Sequence, residues 1–294
     1  MISYNPKDWF NFIFRFHKGD TLRKLIVFMA AIAAYSGLIA YLELNYWKLS
    51  KGSYISNLTI LHQLLGFVLS LLLVFRTNSA YDRWWEGRKL WGALVNNSRS
   101  LAIKLNALLN PEDEENRKFF SRMIPLFASV LKNHLALETT RLELDAKEHP
   151  ELAGVDKNKH VPNQIASFLA QRIYRLKKEG KISGDELITL NNEIQSFSDI
   201  CGACERIKNT PIPFSYSVFV KKFIFTYILT MPFGFVFSLG FWVIPVVTFI
   251  FYVLASLELI AEEIEDPFGG DENDLPLEKI SISIKRHVAE ILHH

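Results

Sequence analysis

The sequence predicts an all-α integral membrane protein with four transmembrane helices and a large cytoplasmic helical domain, and three observations carry that expectation. Four apolar runs stand in two pairs, over 25–44 and 58–75 and again over 223–237 and 241–260. A membrane-spanning helix needs about 20 such residues. Between the pairs, the composition changes to Leu, Ala and charged residues at the 3.6-residue period of amphipathic helices. No segment alternates as a half-buried strand does. The expected organisation is an N-terminal interfacial segment (1–24), transmembrane helices 1 and 2 (25–75), a cytoplasmic helical domain (76–213), transmembrane helices 3 and 4 (214–262) and a cytoplasmic C-terminal segment (263–294).

In the first segment Trp9, Phe10, Phe12, Ile13, Phe14 and Phe16 mix with Lys7, Arg15 and Lys18. That composition suits a short helix at the membrane interface, and equally an amphipathic helix packed on protein. The run over 25–44 carries no charge until Glu43. It is too long for a signal-peptide core, lacks a small-residue cleavage site, and is read as a retained span. The run over 58–75 holds Thr59, His62, Gln63 and Ser70. Polar groups inside a span face protein or water, so this helix is expected inside an assembly. Pro111 followed by Glu112, Asp113, Glu114 and Glu115 marks a helix start, because acids favour the positive end of the helix dipole. Another start is expected near Pro162, and a third at Ser183, an N-cap with Glu186 three residues on. The polar stretch 145–160 reads as a loop. The last two runs form a helical hairpin about Ser238-Leu239-Gly240. Lys7, Arg15, Lys18, Arg23 and Lys24 precede the first span and Arg76, Arg83, Arg88 and Lys89 follow the second, while the loop between has Lys48 and Lys51. By the positive-inside rule, both termini and the middle domain are cytoplasmic.

Several kinds of chemistry are excluded. A net charge of +2 with both signs interleaved argues against a nucleic-acid partner. The two cysteines, Cys201 and Cys204, allow no disulfide framework. Zinc would need two further ligands, and a helical context speaks for packed thiols instead of a redox pair. No His-Glu-x-x-His, phosphate-cradling glycine loop or Gly-x-Ser-x-Gly elbow is present, and the eight histidines are scattered, two of them at the tail. The chain is not expected to be an enzyme. Phe67, Leu71 and Phe75 share one helix face at i, i+4 and i+8. Periodicity alone fits lipid-facing or core residues as well as a pore.

Three separated stretches decide more. Residues 66–86 read GFVLSLLLVFRTNSAYDRWWE; Cys204-Glu205-Arg206 and Thr210-Pro211-Ile212-Pro213-Phe214-Ser215-Tyr216 precede the third span; Glu262-Glu263-Ile264-Glu265-Asp266-Pro267-Phe268-Gly269 and Asn273-Asp274-Leu275-Pro276-Leu277 follow the fourth. In order and spacing they resemble the bestrophins, in particular the bacterial branch, and the resemblance runs from the Trp9 region to about Leu277. It implies a homopentamer in the bacterial inner membrane. The second helix of each subunit would line a central pore that widens into a cytoplasmic vestibule.

It also implies a hydrophobic neck at Phe67, Leu71 and Phe75, a kind of constriction that gates by dewetting. Arg76, Asp82, Arg83 and Glu86, which follow, are expected to be ordinary inter-subunit or surface charges. A second constriction, the cytoplasmic aperture, aligns with Asp185, where the family often has an apolar residue. Either the register is off by a residue or two, placing Leu187 or Ile188 there, or the mouth carries a carboxylate ring that concentrates cations. Glu263, Asp266, Asp271 and Asp274 offer oxygen ligands for Ca²⁺. Asp271 and Asp274 match the calcium clasp of animal bestrophins, but Gly270 and Asn273 replace acids and Glu263 stands where the family has a neutral side chain. No cofactor is required. The expected activity is passive conduction of monovalent cations such as Na⁺, resting on Asp185 and the bacterial branch, with membrane lipid and permeating ions as partners. The alternatives are a chloride or small-anion channel of the same architecture and a membrane-anchored helical scaffold without a pore. A secondary transporter would show paired repeats and broken helices, and neither is visible.

Overall fold

The computed structural model describes residues 21–48, 57–136, 155–156 and 158–292. The expected interfacial helix therefore lies outside the described residues, as does most of the expected loop over 145–160. Every regular element described is helical. In chain order these are α1 (Thr21–Tyr41), extended by a π-helical turn (Leu42–Tyr46), α2 (Leu58–Leu108), α3 (Glu114–Ala136), α4 (Val161–Lys178), α5 (Gly184–Asn209), α6 (Phe214–Leu239), a 3₁₀ turn (Gly240–Trp242), α7 (Val243–Glu265) and α8 (Leu277–Leu292). Among the described residues, three stretches are long and apolar enough to cross a membrane, Thr21–Tyr46, Leu58–Leu108 and Phe214–Glu265. The last contains both α6 and α7.

The chain forms two compact units. The first comprises Met1–Arg83, Pro211–Asp266 and Asp271–Asn273, the second Trp84–Thr210, Pro267–Gly270 and Asp274–His294. α2 runs without a break past residue 76, where a domain boundary was expected, and the units divide at Arg83. The sequence contains no proline between residues 58 and 108. A change from apolar to amphipathic pattern alters what a helix faces but breaks none of its backbone hydrogen bonds.

In the first unit α1 packs on α6 and α7, which also pack on each other. Leu25, Ile32, Leu73, Ile228, Val247 and Phe251 are among the residues of its apolar core. The hairpin turns at Gly240, whose φ of 56° and ψ of −136° suit a residue without a Cβ. Gly234 serves close approach instead: a Cβ there would stand 3.1 Å from the backbone nitrogen of Thr59.

In the second unit α3 packs on α4 and α8, and α4 on α5. The expected helix starts are met. α3 begins three residues after Pro111, with the Asp113 carboxylate accepting the Asn116 backbone N–H at 3.3 Å. At α5 the full capping box forms: Glu186 N–H donates to Ser183 Oγ at 3.2 Å, and Ser183 N–H to Glu186 Oε2 at 2.6 Å. Cys201 and Cys204 lie buried and unbridged in α5. Burial pushes the Cys201 thiol up to about 12, with the Glu205 charge adding to it, and raises Cys204 further. α8 was not foreseen from the sequence; it buries Leu277, Ser281, Ile284, Val288 and Leu292 along one face.

Candidate functional site

One face of α2 is fixed to its own unit by polar ties. Thr59 Oγ1 donates to the Gly234 carbonyl at 3.3 Å, and His62 contacts Thr230 Oγ1 through Nε2 at 3.0 Å and the Leu58 carbonyl through Nδ1 at 2.7 Å. Tyr216 Oη donates to the Leu72 carbonyl at 3.0 Å. Leu69 and Leu73 of the same helix are buried. Of the four polar residues in this span, Thr59 and His62 are thus fasteners, while Gln63 is exposed and Ser70 Oγ bonds the Gly66 carbonyl within the helix.

Arg76 departs from the expectation of a surface or inter-subunit charge. It is 1% exposed, with Nη2 at 2.8 Å from Glu265 Oε2 and Nε at 3.4 Å from Glu258 Oε1. Glu265 also accepts the Ile212 N–H at 2.7 Å and, through its backbone carbonyl, Arg83 Nε at 2.9 Å. An unpaired buried guanidinium is costly, and this helix turns Arg76 inward onto two carboxylates. Asp82 is exposed, and Glu86 pairs with Arg206 at 2.9 Å in the open.

The opposite face of α2 is bare. Phe67 is 67% exposed, Leu71 45% and Phe75 64%. Burying such a side chain is worth roughly 1.5–3 kcal/mol, so three in a row left uncovered by their own chain call for lipid, another subunit or a narrow lumen. At about 1.5 Å rise per residue they cover roughly 12 Å of helix.

Asp185 is exposed in the first turn of α5, Leu187 is buried, and Ile188 is 64% exposed. Glu263 accepts from Lys24 Nζ at 2.6 Å and from Asn273 Nδ2 at 2.5 Å. Asp266 and Asp271 belong to the first unit with Glu263, whereas Asp274 is buried in the second.

Among the described residues, one group of histidines and acids brings its ligand atoms within 4.8 Å of one another, and sequence reasoning missed it: His134, His160 and Glu205. The Nε2 atoms of His134 and His160 lie 2.6 and 2.5 Å from the same Glu205 Oε1, with their rings edge to face at 4.7 Å between centroids. Burial works to raise the Glu205 carboxyl, and the hydrogen bonds from His160 and His134 outweigh it, holding the group below its ordinary range. With 26 and 45 residues separating these positions, no spacing rule connects them.

Residues 1–290 match the family model described as Bacterial/Fungal Bestrophin protein. A voltage-dependent anion channel-forming protein of Nostoc sp. is 32% identical over 291 residues, covering 97% of this chain and 92% of that protein. One from Salmonella typhi is 30% identical over 286 residues with the same two coverages, 97% and 92%. Among solved structures, a bacterial Bestrophin homolog from Klebsiella pneumoniae superposes with a TM-score of 0.78 at 27% identity, covering 91% of this chain and 98% of that one.

Proposed function

This chain belongs to the Bacterial/Fungal Bestrophin family, and from that premise we propose that it is a passive ion channel whose pore is lined by α2 of five identical subunits. Each chain crosses the bacterial inner membrane four times, with α1, the apolar part of α2, α6 and α7, and keeps both termini in the cytoplasm. Phe67, Leu71 and Phe75 form three stacked apolar rings, the neck. The carrying observation is the two-faced environment of α2, with Leu69, Leu73 and Arg76 buried on one side and the three neck residues bare on the other. A narrow apolar throat disfavours a water column and so holds ions back until it widens.

The permeating ion is proposed to be a small anion such as chloride. The relatives carry the name of anion channel-forming proteins, and that favours the anion alternative over the Na⁺ expectation drawn from Asp185. A carboxylate ring at the cytoplasmic mouth would repel anions. The anion reading therefore goes with the register that sets Ile188 at the aperture, since Leu187 faces the core. Conduction requires no cofactor, and calcium on the acidic stretch would be an accessory to it.

The test is current through the purified protein in planar bilayers under asymmetric NaCl, for the parent and for Leu71→Ala. The expected reversal potential lies toward that of chloride. Leu71→Ala should raise conductance or open probability, because the middle ring is lost from a continuous dry segment. A packing residue would respond in the opposite sense, with lower stability and no added current. A parent reversal potential at the Na⁺ value would overturn the anion assignment, and an unchanged Leu71→Ala current would overturn the neck.

A further inference from the structure

We propose that His134, His160 and Glu205 form a binding site for one divalent transition-metal ion of the zinc type in the second unit. The site lies outside the pore-lining face and is independent of the channel reading. His134 stands in the last turn of α3, His160 is the N-cap of α4, and Glu205 lies on α5. The ion would thus tie three helices at one point.

Convergence is the first argument. Two imidazole Nε2 atoms approach one carboxylate oxygen at 2.6 and 2.5 Å, crowding a single acceptor. A tetrahedral zinc ion with bonds of roughly 2.0–2.2 Å would sit between them and spread its ligands to a little over ~3 Å, a displacement of under ~1 Å each. Donor type is the second. Two imidazoles and a carboxylate suit zinc and its neighbours in the first transition row, whereas calcium and magnesium take oxygen shells. Access is the third: the three side chains are 24%, 33% and 27% exposed, so an ion can enter and water can fill a fourth position.

The surroundings support the donors. His160 Nδ1 accepts the Asn163 backbone N–H at 3.1 Å. Without metal, that contact leaves the ring proton on Nε2, where it donates to Glu205. Zinc takes the proton's place on Nε2. The displaced proton passes by way of solvent to Nδ1, which opens the Asn163 contact and keeps the bound ring a neutral imidazole.

The test uses full-length, detergent-purified protein stripped with EDTA, titrated with Zn²⁺ by calorimetry and followed by thermal unfolding. The parent should take up one Zn²⁺ per chain, with a melting temperature that rises with zinc concentration. His134→Gln keeps an amide donor toward Glu205, so it should melt like the parent in EDTA while showing no zinc-dependent rise. Its zinc affinity should fall by more than the roughly 10- to 100-fold that loss of an outer contact costs. His160→Asn, whose carbonyl can still cap α4, should do the same, and deletion of His293 and His294 should leave the stoichiometry unchanged. The proposal is overturned if the parent takes up no zinc, or if His134→Gln and Glu205→Gln bind it as tightly as the parent.

Discussion

Arg76 follows Phe75 directly along α2, yet it turns the other way and is almost fully enclosed. Its guanidinium separates Glu258 from Glu265, and Glu265 in turn holds the backbone N–H of Ile212 ahead of α6. Removing Arg76 would take from Glu258 and Glu265 the guanidinium that pairs with both. Breaking a buried pair in this way costs about 3–5 kcal/mol, against about 0–1 kcal/mol for an exposed one. Arg76→Ala is therefore expected to destabilise the protein by several times as much as Glu86→Ala, which removes an exposed pair with Arg206. Thermal unfolding in detergent, run on both variants, checks this; equal losses would mean that the Arg76 cluster does not hold α2. The charge of Arg76 was legible in the sequence. Its direction was not, because its partners lie 182 and 189 residues away along the chain.

Whole elements were legible where their signals were local. The α5 start was readable because a capping box closes over four residues, and the hairpin turn because Gly240 separates two apolar runs. α8 carried an equally local signal that was overlooked: Leu277, Ile280, Ile284, Val288 and Ile291 recur at helical spacing directly after Pro276. The seating of α2 depends on α6 as well as on its own pattern. Its first turn lies against Gly234, where an added Cβ would meet the Thr59 nitrogen at 3.1 Å and the Leu58 Cβ at 3.2 Å. Backbone cannot rotate away as a side chain can. Gly234→Ala should cost about 1–3 kcal/mol, in the range for overpacking, and should weaken the Thr59 contact to the Gly234 carbonyl. The midpoint of thermal unfolding reads that cost, and a variant as stable as the parent would show that the two helices separate freely.

A single chain exposes Phe67, Leu71, Phe75, Leu64 and Val74 on the apolar half of α2. One subunit cannot enclose a pore with that face, so conduction of the proposed kind requires several copies about an axis. The protein purified in mild detergent should have a mass, after correction for bound detergent, of five chains. Light scattering coupled to size exclusion measures it directly. A monodisperse monomer or dimer would remove the pore, and with it the neck and the aperture.

The sequence by itself determined that the chain is helical, that it contains runs apolar enough for a membrane, and, through three separated motifs, which family it resembles. Those properties are written in short-range pattern: run length, 3.6-residue periodicity, capping residues and contiguous motifs. Tertiary structure alone decided which way the polar groups of α2 point, that Arg76 is interior, and that His134, His160 and Glu205 meet. In each case the reason is the same. These contacts join residues on different helices, and the distance between two side chains on different helices is set by how the helices pack, which spacing along one chain does not encode.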